Sequence, residues 1–293
     1  MLRGVDSRLA NPVLGDMAVR TVYSDYKDFN GVKFPTRINV SAGGHPVLDL
    51  TIASVTPNAA ADIRTPAGLA PMRQTVKSEK VADGVWFLTG GSRHSVAVEM
   101  KDHVVVIEGP LGDARAGAVI KATKDAIPGK PIRYVVNTHH HFDHSGGLRA
   151  FAAEGAAIVT HKINAPYFEK AYAASHRIRP DSLAKAGKRA RFVGVEDRHV
   201  LTDGTRNLEL HRLAGNPHND GLLIAYLPAE KIMIVADAYS ARTMYKTPVK
   251  RVNPFTANLW RNLDRLKLEI ATVLPIHGVK VGFDQVRLAS GQQ

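Results

Sequence analysis

The chain has no cysteine among its 293 residues. Disulfides and thiolate metal sites are thereby excluded, and any metal must be held by His, Asp or Glu. Long apolar runs are also missing. GLLIAYL (221–227) and IMIVA (232–236) are short and end at Pro228 and at a charge, far from the roughly 20 residues of a membrane helix. No membrane span is expected. The N-terminus MLRGVDSRLANPV lacks the apolar core of a secretory leader. A basic block is absent as well: the formal charge is +12, but Lys and Arg are spread along the chain. That distribution describes a solvated surface better than an electrostatic footprint for nucleic acid. Aromatic and basic residues are not interleaved as a strand-cradling groove requires. No internal repeat or low-complexity tract is visible.

What is present is enough apolar content, 44%, to bury a sizeable core in one large domain, or in one large and one small. The pattern changes near residue 65. Residues 19–55 carry short alternating runs separated by FNG and AGG, which are hairpin signals of an antiparallel sheet. Pro and Gly punctuate TPAGLAP (65–71), so residues 1–65 are expected as a β-rich segment, 66–75 as a linker and 76–293 as a second domain. In that domain strands are predicted at 85–90, 95–100, 103–109 and 132–137, with a helix over 114–127 stopped by Pro128-Gly129. Further helices are predicted at 147–154, 163–175 and 259–270, with strands at 157–160, within 206–237 and at 272–276. The reading is an α/β chain of mixed sheets covered by helices.

The strand IRYVVN runs directly into THHHFDHSGG (138–147). If the backbone stays extended past Thr138, His139 and His141 point to one side and His140 to the other, because side chains alternate. Two imidazoles then face one ion. Asp143 and His144 follow where the chain turns, free to serve a second ion, and Ser145-Gly146-Gly147 let the backbone approach a helix start closely. A histidine-rich loop explains HHH alone equally well, whereas HxHxDH backed by GG is far more specific. Two histidines leave a site incomplete, and later strand ends supply more donors. His218 lies in GNPHNDG, Asp237 ends IMIVAD, and His277 ends TVLPIH. A carboxylate at the end of an apolar run is costly to bury unpaired.

Taken in order, THHHFDHSGG, GNPHNDG, the Asp of VADAYS and PIHG resemble the ligand motifs of the metallo-β-lactamase superfamily, over roughly residues 76–285. The resemblance implies an αββα sandwich with two zinc ions at one sheet edge. His139, His141 and His218 would hold one ion, Asp143, His144 and His277 the other, and Asp237 would bridge them. Iron or manganese can occupy such sites too. Two close cations sharing a water make a hydroxide available near neutral pH and polarise the oxygen it attacks; Asp143 is then expected to orient that hydroxide as well as to ligate.

The expected function is hydrolysis of a cyclic or activated ester or amide, of the lactone or β-lactam class. The alternatives are a phosphodiesterase or nuclease and a zinc-holding scaffold without turnover. In the family, dedicated β-lactamases generally lack the bridging aspartate, whereas lactonases, glyoxalase II-like thioesterases and phosphodiesterases have it, so Asp237 argues against a dedicated β-lactamase and leaves β-lactam hydrolysis as a subsidiary activity. Glyoxalase II proper carries an additional C-terminal helical domain, and only about 16 residues follow His277 here. Lactonases of this fold use a tyrosine near the metals, which makes Tyr239 a candidate beside a plain packing role. His94 in SRHS (92–95) is a candidate substrate contact, weighed against a solvated turn. Arg242 and Lys246, in the basic stretch ARTMYKTPVKR (241–251), are candidates to bind an acidic group, weighed against a solvated loop. The partner expected is a small-molecule substrate, not nucleic acid. Residues 1–65 resemble β-rich segments found ahead of such domains in exported bacterial proteins, a hint of a periplasmic or secreted location that the N-terminus, with no leader visible, leaves undecided. Tyr26, Phe29, Phe34 and VLDLTIASV (47–55) are read there as sheet core.

Overall fold

The computed structural model describes residues 1–66 and 74–293, so the linker expected at 66–75 lies, but for its ends, outside the described residues. The chain divides into two compact units, Met1–Arg73 with Ala174–Arg179, and Gln74–Ala173 with Pro180–Gln293.

In the first unit four antiparallel strands, β1 (Gly4–Asn11), β2 (Gly15–Phe29), β3 (Val32–Ala42) and β4 (His45–Thr51), lie side by side in chain order. The turns fall at FNG and AGG. Asn30 and Gly31 have φ of 52° and 85°, and Gly43 and Gly44 of 59° and 86°, the left-handed pairs that match the twist of a tight hairpin. Pairing of Val5 with Thr21, Thr21 with Val40 and Val40 with Leu48 puts these residues on one face. Asp6, Arg20, Arg37 and Asp49 occupy the other, with ion pairs Arg20–Asp6 and Arg37–Asp49. The apolar residues read as sheet core are only partly so: Tyr26, Phe29 and Phe34 are half-buried, while Val47, Leu48 and Leu50 are exposed. Ser175, Arg177 and Ile178 join this unit by donating to the Asp16 carboxylate. Accordingly the helix expected over 163–175 is shorter.

The second unit holds two sheets. One has seven strands, β5 (Lys77–Ala82), β6 (Val85–Thr89), β7 (Ser95–Glu99), β8 (Val104–Ile107), β9 (Ile132–Val136), β10 (Ala157–His161) and β11 (Arg191–Val195), in the order β11-β10-β9-β8-β7-β6-β5. The other has six, β12 (Arg198–Thr202), β13 (Asn207–Arg212), β14 (Leu223–Leu227), β15 (Ile232–Val235), β16 (Thr272–Pro275) and β17 (Val281–Gly282), in chain order. Strands β8, β9, β10 and β11 are parallel, joined through α1 (Asp113–Ala126) and, after α2 (Phe142–Ser145), through α3 (Leu148–Glu154). Then come α4 (Ala165–Tyr172), α5 (Ser182–Ala186), α6 (Pro254–Leu266) and α7 (Phe283–Ala289).

Burial follows from the runs. VVVI of β8 and LIAYL of β14 are buried throughout, as strands covered on both faces must be. Val96, Val105 and Val159 of the first sheet pack against Leu210, Leu223 and Ile234 of the second. Outside them, Val119 of α1 and Phe151 of α3 cover one sheet, and Leu259 of α6 and Val286 of α7 cover the other. The four layers are α, β, β and α. Each such side chain contributes about 1.5–3 kcal/mol by leaving water. Helix α6 begins and ends before the 259–270 expected for it, because Asn253 caps Phe255 with Pro254 in the first turn and Lys267 turns left-handed at φ 52°. No helix among the described residues is long and apolar enough to cross a membrane.

Candidate metal centre

Beyond β9 the backbone turns at His141 into α2, and the donors of the HxHxDH stretch are divided between two groups. His139, His141, His218 and Asp237 form one; Asp143, His144, Asp237 and His277 form the other. His140 is turned away, its Nδ1 lying 3.1 Å from both Asn164 and Asn219. The second sheet delivers its donors from three places: His218 from the β13–β14 connection, Asp237 after β15 and His277 after β16.

Asp237 stands between the groups. Its Oδ2 lies 2.9 Å from His218 Nε2 and 3.8 Å from His139 Nε2. Its Oδ1 lies 2.9 Å from His144 Nε2 and 2.6 Å from His277 Nε2. That buried Oδ1 nevertheless accepts no hydrogen bond. The Nε2 atoms of His139 and His218 are 3.2 Å apart, and those of His144 and His277 3.1 Å. Two nitrogen ligands of a tetrahedral zinc, at about 2.0–2.1 Å each, lie about 3.3 Å apart. Converging nitrogens around an orphaned buried oxygen are what a cation needs, and the residues present fit one in each group.

Electrostatics agree. Burial would lower His144, but Glu108, Asp143 and Asp237 outweigh it and hold the imidazole well above its usual range, so this pocket favours positive charge. Burial, with His144 beside it, pushes His139 well down and favours its neutral form. Contact with His144, and then with Arg93, holds the Asp143 carboxyl well below its ordinary value. For Asp237 burial acts upward, and His144, His218 and His277 override it, leaving the carboxyl far below its ordinary value.

Sequence reading missed the supports. Glu108, fully buried at the end of β8, accepts from His144 Nδ1 at 2.8 Å and from the Thr138 amide at 2.7 Å. It thereby fixes the His144 tautomer and leaves Nε2 facing the site. Its φ of 74° is left-handed, a strained state for a residue with a side chain. The available signal was an acid closing the apolar run VVVIE. A second support is amide-based. Asn216 accepts from the His218 amide at 2.9 Å and donates to Asn258 at 2.9 Å, while Asn258 and Asn262 of α6 both donate to Ala214. Two buried asparagines one turn apart in PFTANLWRNLDRL were the signal. Gly146 must be glycine, since a Cβ there would collide with the Leu111 carbonyl.

The remaining candidates fall apart in space. His94 is buried and donates from Nε2 to the Gly278 carbonyl at 2.7 Å, next to His277, so it ties two loops together; it is not a solvated turn residue. Burial lowers its imidazole. Tyr239 sits in the apolar cluster beneath α6, its hydroxyl without a partner and pushed up to about 12 by burial. Arg242 and Lys246 are exposed on a segment stitched to the His277 turn, where Ala241 donates to the His277 carbonyl at 3.0 Å and Val279 to that of Ala241 at 3.2 Å. Arg93, not singled out by its pattern, reaches Asp143 at 2.7 Å.

The family profile described as Metallo-beta-lactamase superfamily matches residues 88–277. The α subunit of 2,4-dinitroanisole O-demethylase from Nocardioides sp. (strain JS1661) is 24% identical over 193 residues, 66% of this chain and 54% of that one. Hydroxyacylglutathione hydrolase from Maricaulis maris (strain MCS10) is 30% identical over 143 residues, 47% of this chain and 44% of that one. The chain thus spans about half the length of the curated relatives it matches. Among solved structures, a metallo-beta-lactamase from Pontibacter korlensis superposes with a TM-score of 0.55 at 19% identity, over 74% of this chain and 97% of that one. At that identity the likeness speaks for the fold.

Proposed function

This chain belongs to the metallo-beta-lactamase superfamily, most of whose members are hydrolases, and from that premise we propose a hydrolase dependent on two divalent cations, zinc foremost, that opens a cyclic or activated ester or amide of the lactone or β-lactam class. The observation that carries the reading is Asp237, whose two oxygens face opposite groups of imidazole nitrogens at 2.6–2.9 Å. In this reading His139, His141 and His218 would hold one cation and Asp143, His144 and His277 the other, with Asp237 common to both groups.

Cations bound there supply Lewis acidity toward a carbonyl oxygen and a source of nucleophile from water at neutral pH. The chain's own residues do the rest. Asp143, kept ionised, accepts a hydrogen bond from the attacking water and orients it. Glu108 holds His144 by its Nδ1 proton, so that ring keeps its aim. Asp237, Glu108 and Asp143 bring enough negative charge to make two cations tolerable side by side. Tyr239 takes no part in this reading, because its hydroxyl lies within the apolar cluster. Arg242 and Lys246 are exposed on the segment that follows Asp237, and this reading keeps them as candidates to meet an acidic group of the substrate.

Lactones rank ahead of β-lactams because an aspartate occupies the bridging position. Thioesters form the second reading, favoured by the 30% identity to a hydroxyacylglutathione hydrolase. The deciding experiment combines metal analysis with one substrate panel: a chromogenic cephalosporin, a simple lactone, acyl-homoserine lactones, a thioester and bis-nitrophenyl phosphate. Close to two zinc per chain with lactone turnover is the expected result. A metal-free protein that stays inert on zinc addition would sink the hydrolase, and phosphodiester turnover alone would replace its substrate class.

A further inference from the structure

We infer that Arg93 recognises a carboxylate carried by the substrate, so that the preferred substrates of this site are anionic esters, lactones or amides. The inference rests on the hydrolase reading for the site itself and on Arg93 for the specificity. The guanidinium lies at the mouth of the centre, with Arg93 and Asp143 side chains 23% and 25% exposed, hence both reachable. Its Nε donates to Asp143 Oδ2 at 2.7 Å and its Nη1 to the Ser92 carbonyl at 3.2 Å. Of the five N–H groups of an arginine, the remaining three, on Nη1 and Nη2, have no partner among the described residues. They form a planar fork of the kind that takes a carboxylate by two parallel hydrogen bonds.

The loop that carries Arg93 is held at both ends. On one side lies Arg115, only 2% exposed and without an ion-pair partner among the described residues. It donates to the carbonyls of Thr75 at 2.7 Å, Thr89 at 3.1 Å and Arg93 itself at 3.1 Å. Gly91 leaves the room this requires, since a Cβ there would stand 3.1 Å from the Arg115 Cζ. On the other side His94 is tied to the His277 turn by its amide, 3.0 Å from the Ile276 carbonyl, and by its ring, 2.7 Å from that of Gly278. Between two anchors Arg93 has little freedom to lose when a ligand arrives, and preorganisation of this kind strengthens recognition.

Charge points the same way. Among the donors only Asp143 and Asp237 are carboxylates, too few to neutralise two divalent cations even with Glu108 behind them. When Asp143 is shared with a cation it compensates Arg93 less. The loaded site therefore presents excess positive charge at the mouth, and Arg93 gives that charge a direction and a geometry.

The test compares nitrophenyl acetate with mono-nitrophenyl glutarate, a neutral and a carboxylate-bearing ester, on preparations of equal metal content. Wild-type protein should favour the glutarate ester in kcat/KM. In Arg93→Gln the ratio of the two should fall about tenfold or more, chiefly through KM, as loss of a charged hydrogen bond predicts. Arg93→Lys should lie between, and Arg115→Lys, which loosens the loop while leaving Arg93 in place, should lower the ratio less. A calorimetric titration with glutarate should show binding about tenfold weaker in Arg93→Gln. An unchanged ratio, or equal glutarate binding, overturns the inference. If wild-type protein cleaves neither ester, the hydrolase reading is what fails, and the glutarate titration still decides Arg93.

Discussion

The two sheets of the second unit contribute to the candidate metal centre in opposite ways. The seven-stranded sheet sends His139, His141, Asp143 and His144 from one turn after β9, whereas the six-stranded sheet sends His218, Asp237 and His277 from three separate strand ends. Each donor group draws on both sheets, so a cation in either would clamp one sheet to the other. The supports differ accordingly. The continuous turn is braced by a buried charge, Glu108, and the scattered donors by neutral amides, with Asn216, Asn258 and Asn262 holding the His218 connection. One side is stiffened by electrostatics, the other by hydrogen-bond geometry.

The comparison breaks most completely at Asp237, the one donor common to both groups. Asp237→Asn removes the charge while keeping the shape, and should cost more than the roughly 10–100-fold loss that follows removal of an outer partner of a metal ligand. Metal content should fall below two per chain and turnover should drop with it. Unchanged stoichiometry measured by elemental analysis would mean that the two groups do not depend on a shared oxygen.

Glu108→Gln tests the charged side alone. The glutamine can still accept from Thr138, but it no longer offers His144 a charged partner. Affinity for an ion in the His144 group should decrease about 10–100-fold, read as a shift in one step of a zinc titration with the other step unmoved. If both steps shift equally, Glu108 supports the fold and not the His144 group. Asn258→Ala tests the amide side. It takes away the 2.9 Å acceptor of the buried Asn216 amide while Asn262 still serves the Ala214 carbonyl, which costs about 1–3 kcal/mol and should appear as a lower Tm together with weaker binding in the His218 group. A variant as stable as the parent would show that the amides are ornament to that turn.

These supports also mark what could be read in the sequence. The HxHxDH turn was legible because its donors are neighbours and the alternation of an extended chain sorts them by side. Asp237 and His277 were legible as polar residues closing apolar runs and His218 as a histidine in the turn-rich GNPHNDG, but only the resemblance to a family turned the three into one candidate ligand set. Glu108 closes an apolar run in the same manner, yet its partner His144 lies on another strand's loop and no local pattern announces the pair. Arg93 and His94 are adjacent in sequence and diverge in space: the ring turns into the protein toward Gly278 while the guanidinium reaches Asp143. Periodicity assigns a segment to a loop and leaves open which of two neighbours faces inward. The apolar face of the first unit shows the opposite error. Alternation correctly separates Val5, Val40 and Leu48 from Asp6 and Arg20, but alternation reports sidedness and not cover, so residues read as core stand partly exposed.

The smallest effect belongs to Tyr239, which separates the chemistry of the six-stranded sheet from its packing. Sequence position, two residues after Asp237, suggests a hydroxyl aimed at substrate. Its surroundings are Leu259, Leu263 and Val273, and the hydroxyl is buried without a partner. An unsatisfied buried polar group costs about 1–3 kcal/mol, so Tyr239→Phe should leave the protein equally stable or slightly more so, by Tm. Turnover should stay within about twofold, since most of the effect of such a deletion is on packing. A tenfold loss of kcat without a change in Tm would return Tyr239 to the reaction, and would mean that the strand end after β15 delivers two functional groups where the geometry assigns it one.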